Sequence, residues 1–130
     1  MTSTIVEKLA EYGVAERARE LPAEVRHHAK RALIDWFASL LPGSIVDPAQ
    51  AMIKGLDDEL GHGRAYVYGS DKFGSLRTAA LINGTASHTI EFDDIFRDAI
   101  YHPGCPTISA ALAAAQAKGA TAADLLTAII

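Results

Sequence analysis

The chain has 130 residues, 49% of them hydrophobic and 22% charged, which suits one globular domain with a substantial core. Its net charge of −4, with no run of Lys or Arg to follow a phosphate backbone, argues against nucleic acid as a partner. One cysteine excludes an internal disulfide and fits a reducing compartment. The amino terminus "MTSTIVEKLAEYG" lacks the apolar core of a signal peptide, and no apolar run approaches the ~18 residues that cross a bilayer. A cytoplasmic protein with no membrane partner is expected.

In chain order, "TIVEKLAEYG" places Thr4 three residues before Glu7 and closes at Gly13. The pattern predicts a short capped helix with Ile5, Val6 and Leu9 facing inward. "LPAEVRHHAKRALIDWFASLLPG" predicts a long helix, with Pro22 near its start and Pro42-Gly43 as its stop. Val25, Ala29, Leu33, Trp36, Phe37 and Leu40 form its apolar stripe, so Trp36 and Phe37 read as core. His27 and His28 fall on its polar side as surface residues. A third helix is expected from Asp47-Pro48 to near Gly61, followed by one short extended stretch, "RAYVYGS", from Arg64 to Ser70.

Ser75 then caps a helix through "SLRTAALINGTASHTIEF". Asn83-Gly84 is also a hairpin signal, but the flanking apolar and small residues recur at three and four, which favours helix. Ala80 and Gly84, one turn apart, would let a second backbone approach closely. "PTISAALAAAQAKG" predicts an Ala-rich helix from Pro106 to Lys118, stopped by Gly119. "TAADLLTAII" opens a last helix with Thr121 and Asp124 spaced as a capping box, and carries no stop signal. The class expected is all-α, one helical domain over residues 1–130, read as the amino-terminal piece of something longer.

The chemistry concentrates in "HTIEFDDIFRDAIYHPGCP", which holds two histidines, four acids, one arginine and the cysteine. If the helix from Ser75 continues to about Asp94, His88, Glu91 and Ile95 share one face, and Asp93 and Asp94 turn away at roughly 100° per residue. On that phase the pair is a solvated or capping feature. Adjacent carboxylates also raise one another's pKa when partly buried, so Asp93 stays a candidate. Pro106 suits a helix start, which would put the N–H groups of Cys105, Thr107 and Ile108 at an anion-binding terminus beside His102. Arg97 offers a carboxylate clamp, and together these point to an anionic substrate.

Metal is the competing reading, since His88, Glu91 and His102 are zinc or iron ligand types. Only two of them stand at helical spacing, and no H-E-x-x-H or paired cysteine occurs, so neither a metal nor another cofactor is expected. Cys105 reads as a small packing residue.

Over "AALINGTASHTIEFDDIFRDAIYHPGCPTISAALAAAQ" the sequence resembles the MmgE/PrpD family. The similarity lies in an Ala-Ala-x-x-Asn-Gly-x-x-x-His run, an acidic-Phe-Asp-Asp element, a downstream His-Pro-Gly and the Ala-rich helix. The resemblance implies a considerably longer, usually dimeric protein, with a large helical domain and a lid domain absent from this chain. It also implies chemistry at a carbon next to a carboxylate: 2-methylcitrate dehydration, cis-aconitate decarboxylation or iminodisuccinate epimerisation. Its site positions fall here on Glu91, Ile95 and His102. Glu91 stands where Asp is usual, and Ile95 where Thr is common.

The expected function is therefore a lyase or isomerase acting on a small di- or tricarboxylate, foremost a dehydratase, and a homodimer. His102, Glu91 and Asp93 are the catalytic candidates, and Arg97, His88 and Ile95 the substrate-binding ones. The isolated 130 residues are expected to lack turnover. A non-catalytic helical interaction module is the alternative.

Overall fold

Six helices and one small antiparallel hairpin make up the chain in a computed structural model, which describes residues 3–130. In order these are α1 (Ile5–Arg17), α2 (Ala23–Gly43), α3 (Ala49–Gly55), β1 (Leu60–Val67), β2 (Lys72–Gly74), α4 (Leu76–His88), α5 (Gly104–Lys118) and α6 (Ala122–Ile129). The all-α expectation holds, with the hairpin as its one addition.

Local signals set several element starts. Thr4 and Glu7 form the capping box of α1, Ser75 accepts the Thr78 N–H at the start of α4, and Thr121 with Asp124 boxes α6. Gly119 takes the left-handed conformation that ends α5. Other expectations are corrected. α1 continues past Gly13 to Arg17 and buries none of its residues, so Ile5, Val6 and Leu9 face solvent rather than the core. α3 stops at Gly55, and a 3₁₀ turn at Asp57–Glu59 leads into a strand that begins at Leu60, earlier than Arg64.

The core lies where α4 meets α2, α5 and the hairpin. Trp36, Leu40, Ala49, Ala86 and Ile108 form one cluster, and Ile53, Leu60, Ala65, Val67, Ala79, Ile82 and Ala113 the other. Leu40 and Ile82 are fully buried, each contributing about 1.5–3 kcal/mol by leaving water. Three polar contacts fix the register of these layers. The Trp36 indole donates to Ser109 Oγ at 3.1 Å, tying α2 to α5. Asn83 donates from Nδ2 to the Tyr66 carbonyl at 2.8 Å and accepts the Tyr68 N–H at 3.0 Å, so an α4 side chain serves as a partner strand for β1. Gln116 accepts the Tyr66 N–H from α5 at 2.9 Å.

Asn83-Gly84 lies inside α4, not in a hairpin turn. Close approach also follows from glycine. A methyl at Gly84 would stand 3.5 Å from the Cys105 carbonyl, and one at Gly43 would run into the carbonyl of Ala86. These two glycines bring α5 and α2 against the last two turns of α4, the end that carries His88.

Candidate functional site

α4 ends at His88, not near Asp94. Thr89 turns its hydroxyl back to the Thr85 carbonyl at 2.7 Å, and Glu91 adopts a left-handed φ of 59°. A carboxylate side chain in that region is uncommon, and here it reverses the chain direction. The reversal overturns the helical phase: Asp93 does not turn away from His88 but folds back onto it. Asp93 is the buried centre of the site, its side chain 2% exposed. His88 Nδ1 stands 3.1 Å from Asp93 Oδ2 and 3.3 Å from Oδ1, a hydrogen bond that the Nδ1–H tautomer donates.

His102 comes from the far side of the loop, two residues before α5, and its Nδ1 lies 3.2 Å from the same Oδ2. That contact is close but out of line for a hydrogen bond, and the buried Nδ1 of His102 has no partner. The two imidazoles meet edge to face, with centroids 4.6 Å apart. Between them the chain makes a small turn closed by the Phe96–Tyr101 bridge.

The expected anion site at the helix start is corrected as well. α5 begins at Gly104, two residues before Pro106, and the Gly104 N–H donates to Asp94 Oδ1 at 3.0 Å. Pro106 has no N–H and the Thr107 N–H is bound by the Pro103 carbonyl, so the chain's own Asp94 already fills the favourable position. Burial pushes the Asp94 carboxyl above its ordinary range, with Asp35 and Asp93 adding to the rise, against the Gly104 bond and His102. Burial likewise pushes the Cys105 thiol up, helped by Asp93 and Asp94, so it is a poor nucleophile at neutral pH.

The other candidates lie outside the buried cluster. Glu91 is largely exposed, its Oε1 3.8 Å from His88 Nε2. Arg97 is almost wholly exposed and faces Asp98 at 3.5 Å, away from any carboxylate clamp in this geometry. Ile95 is 54% exposed. A cleft of ≈ 570 Å³ opens beside the cluster, with Gly84, Thr85, His88, Glu91 and Cys105 among its lining residues, which is room for a small organic acid. His88, Asp93 and His102 also bring one nitrogen each and a carboxylate oxygen to within 4.8 Å of one another, the donor set of a metal site. Glu91, the third donor expected from sequence, is replaced in that set by Asp93.

The capping of α5 by Asp94 was not visible in sequence, because the cap comes from ten residues upstream rather than from the position before the helix. The only trace was the Asp pair itself, whose first member turns inward and whose second turns to the helix.

The model of the MmgE/PrpD N-terminal domain matches residues 7–130. A curated relative, "Cis-aconitate decarboxylase-like protein oryM" of Aspergillus oryzae, is 33% identical over 102 residues, which cover 77% of this chain and 21% of that protein. The chain thus spans about a fifth of the length of that relative. No solved structure matches. Among the described residues, no helix is long and apolar enough to cross a membrane. A helical fold that brings His88 at the end of α4 and His102 just before α5 onto one carboxylate, and a match to the family's domain from residue 7 to the end, agree with the resemblance read from "NGTASH" and "HPG": the chain belongs to the MmgE/PrpD family.

Proposed function

We propose that this domain carries the proton-transfer wall of a lyase acting on a small di- or tricarboxylate. The observation behind the reading is the buried Asp93 carboxylate, onto which His88, a wall residue of the neighbouring cleft, and His102 are both drawn. The hydrogen bond to Asp93 fixes the His88 ring, and His102 packs against that ring with its Nδ1 turned to the same carboxylate, which leaves Nε2 of His102 as the atom to handle a substrate proton. In a dehydration, His102 takes the proton from the carbon next to a carboxylate. The C–H electron pair becomes the new double bond, and the β-hydroxyl leaves as water with a proton from Glu91. Glu91 is the acid that lines the cleft beside His88.

Decarboxylation is the second reading, and the printed name of the relative favours it. The two share a carbanion-like state and differ in what leaves, carbon dioxide or water. Arg97 and Ile95, both exposed on the loop, are left to contact substrate or a further part of the protein.

The test incubates the full-length protein in D2O with citrate-like, aconitate-like and succinate-like acids and follows C–H exchange and product by NMR. Exchange that disappears in His102→Ala supports the reading, and the product separates dehydratase from decarboxylase. No exchange with any of the acids sinks it and favours the interaction module.

A further inference from the structure

The geometry points to a second use of the same three side chains: we propose that His88 Nδ1, Asp93 and His102 Nδ1 form a binding site for a divalent transition cation, zinc foremost. The argument starts from the polar atom that the proton-transfer reading leaves unexplained. His102 Nδ1 is buried without a hydrogen-bond partner, 3.2 Å from a carboxylate oxygen. An imidazole nitrogen held beside a buried carboxylate oxygen without a hydrogen bond leaves room for a cation shared between the two.

The spacing suits a metal. With bonds of about 2.0–2.1 Å, donors around a tetrahedral zinc stand about 3.3 Å apart, and around an octahedral ion about 2.9 Å. The two nitrogen–oxygen separations here, 3.1 and 3.2 Å, fall between those values. Two imidazoles and one carboxylate are also a donor set that favours zinc or iron over calcium or magnesium.

The surroundings add a second feature of metal sites. Histidine ligands commonly offer their other ring N–H to an outer carboxylate, which orients the ring. Glu91 Oε1 lies on the side of the ring opposite Asp93, 3.8 Å from His88 Nε2, near enough to serve as such a partner but beyond hydrogen-bond distance here. Asp93 itself is buried, unlike the exposed acids that gather on surfaces without binding anything.

Cation binding and proton transfer exclude each other. A metal on Nδ1 of His102 keeps the proton on Nε2, so that nitrogen can no longer accept one from a substrate. The filled site is therefore a shut one, and the cation acts as an inhibitor that releases when chelated. The inference does not depend on the lyase reading, because cation binding has its own readout.

The experiment titrates the full-length, chelator-stripped protein with Co²⁺ and follows the visible d–d bands of low-coordinate cobalt, then displaces it with Zn²⁺ in a calorimeter. One Co²⁺ per chain with such bands is expected. His88→Ala should weaken Zn²⁺ binding by about a hundredfold or more, beyond the loss typical of an outer partner. Asp93→Asn should do the same, and a His27→Ala/His28→Ala variant should bind as the parent does. Absence of bands at millimolar cobalt, or bands that survive His88→Ala, overturns the site. His88 is 40% exposed and its removal leaves the core intact, so this variant decides the matter even if Asp93→Asn fails to fold. C–H exchange measured with and without Zn²⁺ then tells whether a filled site is shut, independently of whether the site exists.

Discussion

Asn83 and Asp93 are both buried polar side chains, and each holds two partners from elsewhere in the chain. The partners of Asn83 are backbone groups of β1, whose donor and acceptor roles are permanent. The partners of Asp93 are imidazoles, whose protons come and go. On the face of α4 turned to the hairpin, the Asn83 amide makes both contacts at 2.8–3.0 Å. Past the end of that helix, Nδ1 of His102 is held close to Asp93 and left unbonded. The first arrangement can only hold a fold. The second leaves a nitrogen open to the proton transfer or cation binding proposed above, in a site whose His88 follows directly on the buried Ala86 and Ser87.

Substitutions can break that division. The largest effect expected is on activity: His102→Ala should slow C–H exchange by about 10²–10⁴-fold, the usual contribution of one acid–base group. The urea midpoint should move less than in Asn83→Ala, because truncating His102 breaks no hydrogen bond at its Nδ1. A collapse of stability in His102→Ala would mean the histidine belongs to the scaffold, and the comparison would fail.

Asn83→Ala should do the reverse. It strands the half-buried Tyr66 carbonyl of β1 and the Tyr68 N–H just after it, at a cost of about 2–4 kcal/mol in unfolding free energy. Urea unfolding checks it, and a loss under 1 kcal/mol would show that water replaces the amide there.

Asp94 sits between the two regimes, as a cap next to the histidine cluster. Asp94→Ala removes the acceptor of the Gly104 N–H and should cost about 1 kcal/mol. Asp94→Asn keeps an acceptor and removes the charge. Burial raises the folded pKa of Asp94, so the folded chain keeps that proton at a pH where the unfolded chain has lost it. Its contribution to stability is intact below the ordinary carboxylate range and declines as pH rises through the raised folded value. Asn has no proton to lose, so stability of this variant relative to the parent should improve from mild acid towards neutral pH. An unchanged difference across that range would remove the buried-charge argument.

The smallest change belongs to the exposed loop: Ile95→Thr should alter stability by less than about 0.5 kcal/mol by thermal melting, since half its surface is already in water. A larger shift would place Ile95 in a contact that the fold does not show.

What the amino-acid pattern revealed follows the same division. Thr4 with Glu7, Ser75 with Thr78, and Thr121 with Asp124 are caps made within one turn, so spacing alone exposes them. The α2 stripe from Val25 to Leu40 is likewise local, and its burial at Ala29, Trp36 and Leu40 matches. The helix that should have reached Asp94 stops at His88, where the left-handed Glu91 turns the chain so that Asp93 folds back onto His88 and beside His102, and no periodicity carries that information. Family resemblance pointed to His102 and Glu91 by their motif positions, yet the motif does not say that Asp93, rather than Glu91, is the buried partner. β2 was missed because Lys72–Gly74 is too short for alternation to register.

α1 has a consequence of its own. It is a 13-residue helix with a complete capping box and no buried residue. Helices of that length are marginal in water when nothing packs on them. Its amides should therefore open and close alone, trading hydrogen for deuterium long before those of α4, whose exchange waits for the whole core to come apart. In a time course of isotope uptake, this one fold would behave as two materials joined at Arg17.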